Sequence, residues 1–356
     1  MNYVKILFFG ELPPFSVNGV SLSNKINLEI LGEEYKIIRL RENRSDADLR
    51  LNYFRKTYST LVDILNFTFC CLCNRPKILY ISLPTSLLGI IKIFIIFSIF
   101  RLLAHGKIIA HIHRGDFLSF VDGGSPTSRI TCAALKFFSP KLIVLSDSQK
   151  RGVQELGFKF VESLPNTVDF LEIDSPEKIP KRAVFITNYI ADKGLLYLLD
   201  ALKILQDLNF RVELNCHGAG DYGVYHEYVR NIGLNNISFF GPIHGVDKFQ
   251  TLSAAEILIL PSLNEGQPLV IIEAMAMGTI VVATKVGVVD EMFDPGYPYL
   301  VMPADSLGLA NAIRAALEFQ DKNIISENLR LIFHNKFSFN AHKNYLLKIF
   351  DGFTLC

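Results

Sequence analysis

The sequence predicts an α/β protein made of two doubly wound domains, each a parallel sheet with helices on both faces. Three observations lead there. Short apolar runs bounded by turn residues alternate with helical stretches along the chain, as expected of strands buried on both faces of parallel sheets. The 356 residues exceed what one core ordinarily holds and suit two domains. The rhythm breaks once, at SLPNTVDFLEIDSPEKIP (163–180), where three prolines and several turn formers gather. The expected extents are 1–165 for the first domain, 166–337 for the second, and 338–356 for a terminal helix that packs back on the first.

In the first domain the strands are read as YVKILFFG (3–10), YKIIRL (35–40), KILYISL (77–83), KIIAHIH (107–113) and KLIVLS (141–146). Helices fall at 19–31, 53–73, 86–104, 127–138 and 147–156. In the second the strands are RAVFIT (182–187), RVELNC (211–216), NISFF (236–240), EILIL (256–260), TIVVAT (279–284) and YLVM (299–302), with helices between them. Residues 338–351 are read as the closing helix. Two such domains facing each other leave a cleft, because sheets of this kind bind ligands beyond the carboxyl ends of their strands.

Half of the residues are hydrophobic, 20% are charged and the net charge is +1. This is the composition of a folded chain, and it carries no global field directed at nucleic acid. Six cysteines are present, three of them in CCLC at 70–73. Their spacing forms no disulfide framework and no paired C-x-x-C, so they are read as reduced core thiols of a cytoplasmic protein. MNYVKILFFGELPP is not read as a signal peptide, since Pro13 and Pro14 follow its short apolar run. LLGIIKIFIIFSIFRLL (87–103) is interrupted by Lys92 and Arg101 and falls short of the ~20 apolar residues of a membrane span. It reads as a crossover helix whose surplus hydrophobicity points to peripheral contact with a bilayer through 86–104.

The chemistry concentrates in NEGQPLVIIEAMAMG (264–278). The strand before it ends at Pro261, Pro268 suits the first turn of a helix, and Gly278 suits its C-cap. Glu265 therefore lies on the strand-to-helix loop and Glu273 more than one turn into the helix. A helix N-terminus offers free N–H groups and partial positive charge to a phosphate, Gly266 admits a ligand close to the backbone, and Glu273 is placed to accept from a ribose diol. Two readings stand open at this point. The other makes Glu265 a solvated loop residue and Glu273 a buried acid paired with a lysine.

PSLNEGQPLVIIEAMAMGTIVVAT (261–284) resembles the E-x7-E segment of the family 4 retaining glycosyltransferases, which have the GT-B fold. The likeness covers the second half of the chain and, more loosely, the first. It implies that Glu273 binds the ribose of a nucleotide sugar and that Glu265 serves the donor sugar and its developing positive charge. The backbone of Gly266, Gln267, Leu269 and Val270 would approach sugar and phosphate. VFITNYIADKG resembles the family's G-R-x…K-G stretch. Lys193 takes the diphosphate, whose charge it offsets as electrostatic catalysis, and Asn188 stands where arginine is usual. ELNCHGAGDY resembles the strand ending in G-x-G, with Gly218 and Gly220 at the turn and His217 structural. GELPPFSVNG resembles the glycine-rich first loop, Gly19 matching and Asn18 replacing a second glycine. In HIHRGDF, His113 matches the family's sugar-facing histidine. Arg114 stands where glycine is frequent, Asp116 also faces the cleft, and His111 lies one step deeper on the same strand face. Glu291 matches an acidic residue of the loop at 286–292.

The resemblance implies a retaining glycosyltransferase of the hexosyl type. It would move sugar from a nucleoside diphosphate (UDP or GDP) donor to a hydroxyl of a glycan or lipid-linked acceptor in bacterial surface polysaccharide assembly, such as lipopolysaccharide O-antigen or capsule, at the inner membrane face. No cofactor or metal is expected, and DAD at 46–48 is read as a solvated loop. Two alternatives accompany this reading. One is a GT-B nucleotide-sugar epimerase or hydrolase. The other is a non-catalytic glycan-assembly subunit, for which Asn188 and Asn18 speak.

Overall fold

The computed structural model describes residues 3–16, 18–41, 53–84, 87–170, 173 and 177–351. The chain forms two compact units, Met1–Asn166 with His342–Cys356 and Thr167–Ala341. The backbone therefore passes from one unit to the other twice, at 166/167 and at 341/342.

The first unit is a six-stranded sheet of β1 (Lys5–Gly10), β2 (Lys36–Arg41), β3 (Ile78–Ser82), β4 (Lys107–His111), β5 (Lys141–Val144) and β6 (Val161–Ser163). Its order is β2-β1-β3-β4-β5-β6 and all pairings are parallel. The strands are apolar on both faces, so helices cover both. On one side Leu7, Leu79, Ala110 and Leu142 meet α2 (Tyr53–Asn74), α3 (Leu87–Leu103), α5 (Pro126–Phe138) and α6 (Asp147–Glu155), with α4 (Phe117–Asp122) beside them. On the other, Ile6, Tyr80, Ile109 and Ile143 meet α1 (Gly19–Leu31) and the closing helix α13 (Phe339–Asp351). The ring of Phe350 from α13 stands edge-on to Tyr80 at 5.5 Å between centroids.

The second unit holds β7 (Ile179–Ile186), β8 (Glu213–His217), β9 (Ile237–Phe240), β10 (Ala255–Leu260), β11 (Ile280–Thr284) and β12 (Leu300–Val301), ordered β12-β11-β10-β7-β8-β9. One face carries α7 (Leu195–Asp207), α8 (Gly223–Asn231) and α11 (Ser306–Glu318). The other carries α9 (Gly245–Ala254), α10 (Leu269–Met277) and α12 (Lys322–Ile332). β7 and β10 lie side by side while the helices that follow them go to opposite faces. The crevice at such a reversal of strand order is where doubly wound sheets take their ligands.

Sequence and structure differ locally. β7 starts at Ile179, inside the proline-rich break, because its first residues pair with Ala255 across a register shift. β6 is a three-residue edge strand too short to announce itself. Lys92, read as a positive residue of the hydrophobic helix, does not face outward. Its ammonium is buried in α3 and ion-paired at 3.2 Å with the buried Asp63 of α2. Arg101 donates to the carbonyls of Gly106 and Phe138. The five described cysteines are all free. No described helix is long and apolar enough to cross a membrane.

Candidate active site

The reversal point of the second sheet is where the predicted charges meet. β7 leads into a 3₁₀ turn at Ala191–Lys193, and Gly194 follows in the left-handed region at φ +70°. A Cβ on Gly194 would stand 2.0 Å from the Pro261 carbonyl oxygen, so only glycine lets this loop touch the one leaving β10. The contact is stapled by Leu263 N–H, which donates to Asp192 O at 2.7 Å. Across it Lys193 Nζ lies 2.7 Å from Glu265 Oε1, and Ser262 Oγ donates to the same oxygen at 2.7 Å. The Glu265 side chain is only 10% exposed, so it is no solvated loop residue. A cation and an anion are thus held face to face at the mouth of the crevice.

Glu273 lies in the middle of α10, whose other residues from Val270 to Met277 are all buried and apolar. Its carboxylate is buried as well, and Lys248 of α9 ion-pairs with Oε2. Burial raises the Glu273 pKa, and the Lys248 ammonium opposes the shift. The acid-with-lysine reading therefore describes Glu273 in this structure.

Around these groups, Pro268 is the N-cap of α10, so the helix opens one residue later than expected, with Leu269 and Val270 as its first residues. Gln267 is buried and Gly266 half-buried at this opening. Gly218 closes β8 against β7, where a Cβ would meet Thr187 O at 2.0 Å. Its neighbour His217 stacks on Phe240 with centroids 4.7 Å apart. Asn188 is exposed on the loop after β7. Glu291 sits in a short 3₁₀ turn at Asp290–Met292.

In the first unit Gly19 opens α1. Asn18 stands where the family has glycine for a physical reason: it caps that helix. Its Oδ1 accepts from Ser21 N–H at 3.0 Å while Ser21 Oγ accepts from Asn18 N–H at 3.0 Å, a reciprocal capping box. Asn18 thus gives no support to a decayed site. Arg114 and Asp116 form a bidentate ion pair with each other. The rings of His111 and His113 are in contact, with centroids 3.8 Å apart and planes tilted by 32°, and the Nε2 atoms of both are buried without a hydrogen-bond partner.

Burial lowers the pKa of His113 to about 3, that of His342 to about 4, and that of His111 well below its ordinary value. Unfolded imidazoles titrate near ~6.5, so on acidification the unfolded state binds protons first. The stability these groups confer is complete above ~6.5 and is lost as pH falls toward 4 and below. Denaturant midpoints of the first unit are expected to drop between pH 7.5 and 5.0. An unchanged midpoint across that range would contradict the depressed pKa values of these three histidines.

Two features escaped the sequence. Lys248 gave only the faint signal of a lysine in the first turn of a helix, where the dipole disfavours it. The other is the polar face of α1, where Ser21, Ser23, Asn24 and Asn27 are all buried. Among the described residues no group of three or more histidine, cysteine or acidic side chains is placed to hold a metal. The DAD segment lies outside the described residues, as does Cys356.

Residues 180–318 match the protein family described as Glycosyl transferases group 1. A phosphatidyl-myo-inositol mannosyltransferase of Mycobacterium leprae is 28% identical over 227 residues, 60% of this chain and 59% of that protein. A lipopolysaccharide 1,2-N-acetylglucosaminetransferase of Salmonella typhimurium is 30% identical over 161 residues, 41% of this chain and 42% of that protein. The chain thus spans less than two thirds of these relatives. In fold it is similar to the crystal structure of Anabaena Alr3699/HepE in complex with UDP-glucose. The TM-score is 0.72 at 16% identity, over 98% of this chain and 99% of the other. The fold is GT-B.

Proposed function

We propose that this protein, whose residues 180–318 match the Glycosyl transferases group 1 family and whose fold is GT-B, transfers a hexosyl group, with retention, from a nucleoside diphosphate sugar to a hydroxyl of a glycan or lipid-linked acceptor. The observation that carries the reading is the Lys193–Glu265 pair at the β7/β10 reversal, with Glu273 on the helix that opens beside it. The Glu273 carboxylate takes the ribose diol. The diphosphate settles on the N-terminus of α10 and on Lys193, which leaves Glu265 for the incoming phosphate and frees that carboxylate to face the sugar. His113 is assigned to the donor sugar. The acceptor hydroxyl attacks on the face the leaving group vacates and gives its proton to the departing phosphate, so no strong protein base is required. The charge on the leaving group is met by Lys193 and backbone amides, and turnover is expected to persist in a chelator.

A thermal-shift screen of nucleotide sugars tests the donor reading. A donor at 100 times its Kd adds about 2.7 kcal/mol, a rise of several degrees for units of this size. If no nucleoside diphosphate sugar raises the melting temperature, the reading is lost.

Peripheral membrane contact belongs to the same proposal. It is supported by the exposed apolar side chains of neighbouring helices, Leu65 and Phe69 on α2, Ile91 and Phe94 on α3, and Phe137 on α5. Phe94 and Phe137 stack on each other at 6.4 Å. The protein is expected to float with anionic liposomes, and Phe69→Glu with Phe94→Glu to stay below. Wild-type protein that remains wholly unbound refutes the contact.

A further inference from the structure

Behind the His111–His113 ring pair a buried chain of polar groups runs across the first unit. His111 Nδ1 lies 2.9 Å from Tyr80 Oη on β3. Asn27 Nδ2, from α1, lies 2.8 Å from the same hydroxyl. Asn27 Oδ1 lies 2.6 Å from His342 Nε2 on α13. His342 Nδ1 lies 2.7 Å from the carbonyl oxygen of Pro165. Tyr80, Asn27, His111 and His342 are all buried, at 1% exposure or less. The chain joins a stretch 315 residues long, from α1 to the helix that follows the second crossing between units.

The proton bookkeeping of this chain is constrained at one end. A carbonyl only accepts, so His342 Nδ1 carries a hydrogen. Two arrangements then remain. With Asn27 Oδ1 toward His342, Nε2 must also carry a hydrogen and the imidazole is a cation. Asn27 then donates to Tyr80, Tyr80 donates to His111 Nδ1, and the His111 proton sits on Nε2. With the amide turned end for end, His342 is neutral and accepts from Asn27 Nδ2–H. Asn27 Oδ1 accepts from Tyr80, the Tyr80 oxygen accepts from His111 Nδ1–H, and His111 Nε2 is a bare lone pair. The ends of an amide have nearly the same shape, so the turn needs no movement of its neighbours.

A buried cation with no counter-charge is costly. The chain contains no carboxylate, and burial depresses the His342 pKa to about 4 with only the Pro165 carbonyl opposing. The second arrangement therefore holds at neutral pH. We propose that His342, Asn27 and Tyr80 are positioning residues that lock His111 as its Nδ1–H tautomer and fix the ring against which His113 packs. The consequence for donor binding rests on the assignment of His113 to the donor sugar; the tautomer itself does not.

The test uses full-length protein labelled with ¹⁵N-histidine. Long-range ¹H–¹⁵N spectra read which ring nitrogen carries the proton, with His111→Gln and His113→Gln variants to assign the signals. At pH 7 wild-type His111 is expected as Nδ1–H. Tyr80→Phe, which removes the hydroxyl that accepts from His111 and donates to Asn27, is expected to move the proton to Nε2 and to shift the His113 ring signals, with the melting temperature showing the protein still folded. Asn27→Asp can only accept. It should leave His111 as Nδ1–H while drawing a second proton onto His342, and it serves if the first variant fails to fold. A wild-type His111 protonated on Nε2, or a tautomer indifferent to Tyr80→Phe, overturns the inference. Separately, donor addition that leaves the His113 signals unmoved would sink its assignment to the sugar while the tautomer result stands.

Discussion

Glu273→Ala is expected to abolish measurable donor binding before it affects any chemical step. In the proposed complex the carboxylate accepts two hydrogen bonds from a diol, and a hydrogen bond to a charged group contributes ~1.5–3 kcal/mol. Losing both costs on the order of 100-fold in affinity or more, at ~1.4 kcal/mol per tenfold. The variant also leaves the Lys248 ammonium without its anion inside a mostly apolar surround. Lys248 keeps 19% of its side-chain surface, so this part of the loss should fall below the ~3–5 kcal/mol of a fully buried pair. Glu273→Gln separates the two effects. It preserves shape and one acceptor oxygen, so the fold should survive while donor affinity still falls. Calorimetry with the donor that gives the largest thermal shift measures both, and a Glu273→Ala protein that binds as tightly as wild type ends the ribose assignment.

Glu265→Ala is expected to act on turnover, lowering kcat by ~10²–10³ as removal of one preorganised electrostatic group typically does, with the donor KM little changed. The geometry gives a further expectation. Lys193 and Glu265 are bound to each other at 2.7 Å in this structure, so neither acts alone. Lys193→Ala and the double variant should be non-additive with Glu265→Ala, with a coupling of ~1 kcal/mol or more. Glu265→Ala with full rate contradicts the role, and strict additivity contradicts the shared site.

Much of this site was legible in the sequence because local chemistry wrote it there. The spacing of Glu265 and Glu273, Pro268 and Gly278 fixed a loop and a helix opening. Side-chain alternation put His111 and His113 on one strand face. The alternation of strands and helices predicted two parallel sheets. What each acid touches was not legible. Lys193 lies 72 residues before Glu265, and their meeting follows from β7 and β10 becoming neighbours, a fact of strand order that no local period records. The burial of Lys92 follows from a partner, Asp63, on another helix. The burial of the polar side chains of α1 follows from α13, which brings His342 to Asn27 and Phe350 to Tyr80.

The sequence by itself determined the fold class, the elements and the residue types at the mouth of the second sheet, because hydrophobic period and turn chemistry act over a few residues. The tertiary structure alone decided that Lys193 faces Glu265, that Lys248 neutralises Glu273, and that His342 reaches back to Asn27. Those pairings depend on which buried charges and polar atoms the packing brings together, and desolvation makes an unpaired one too costly to leave.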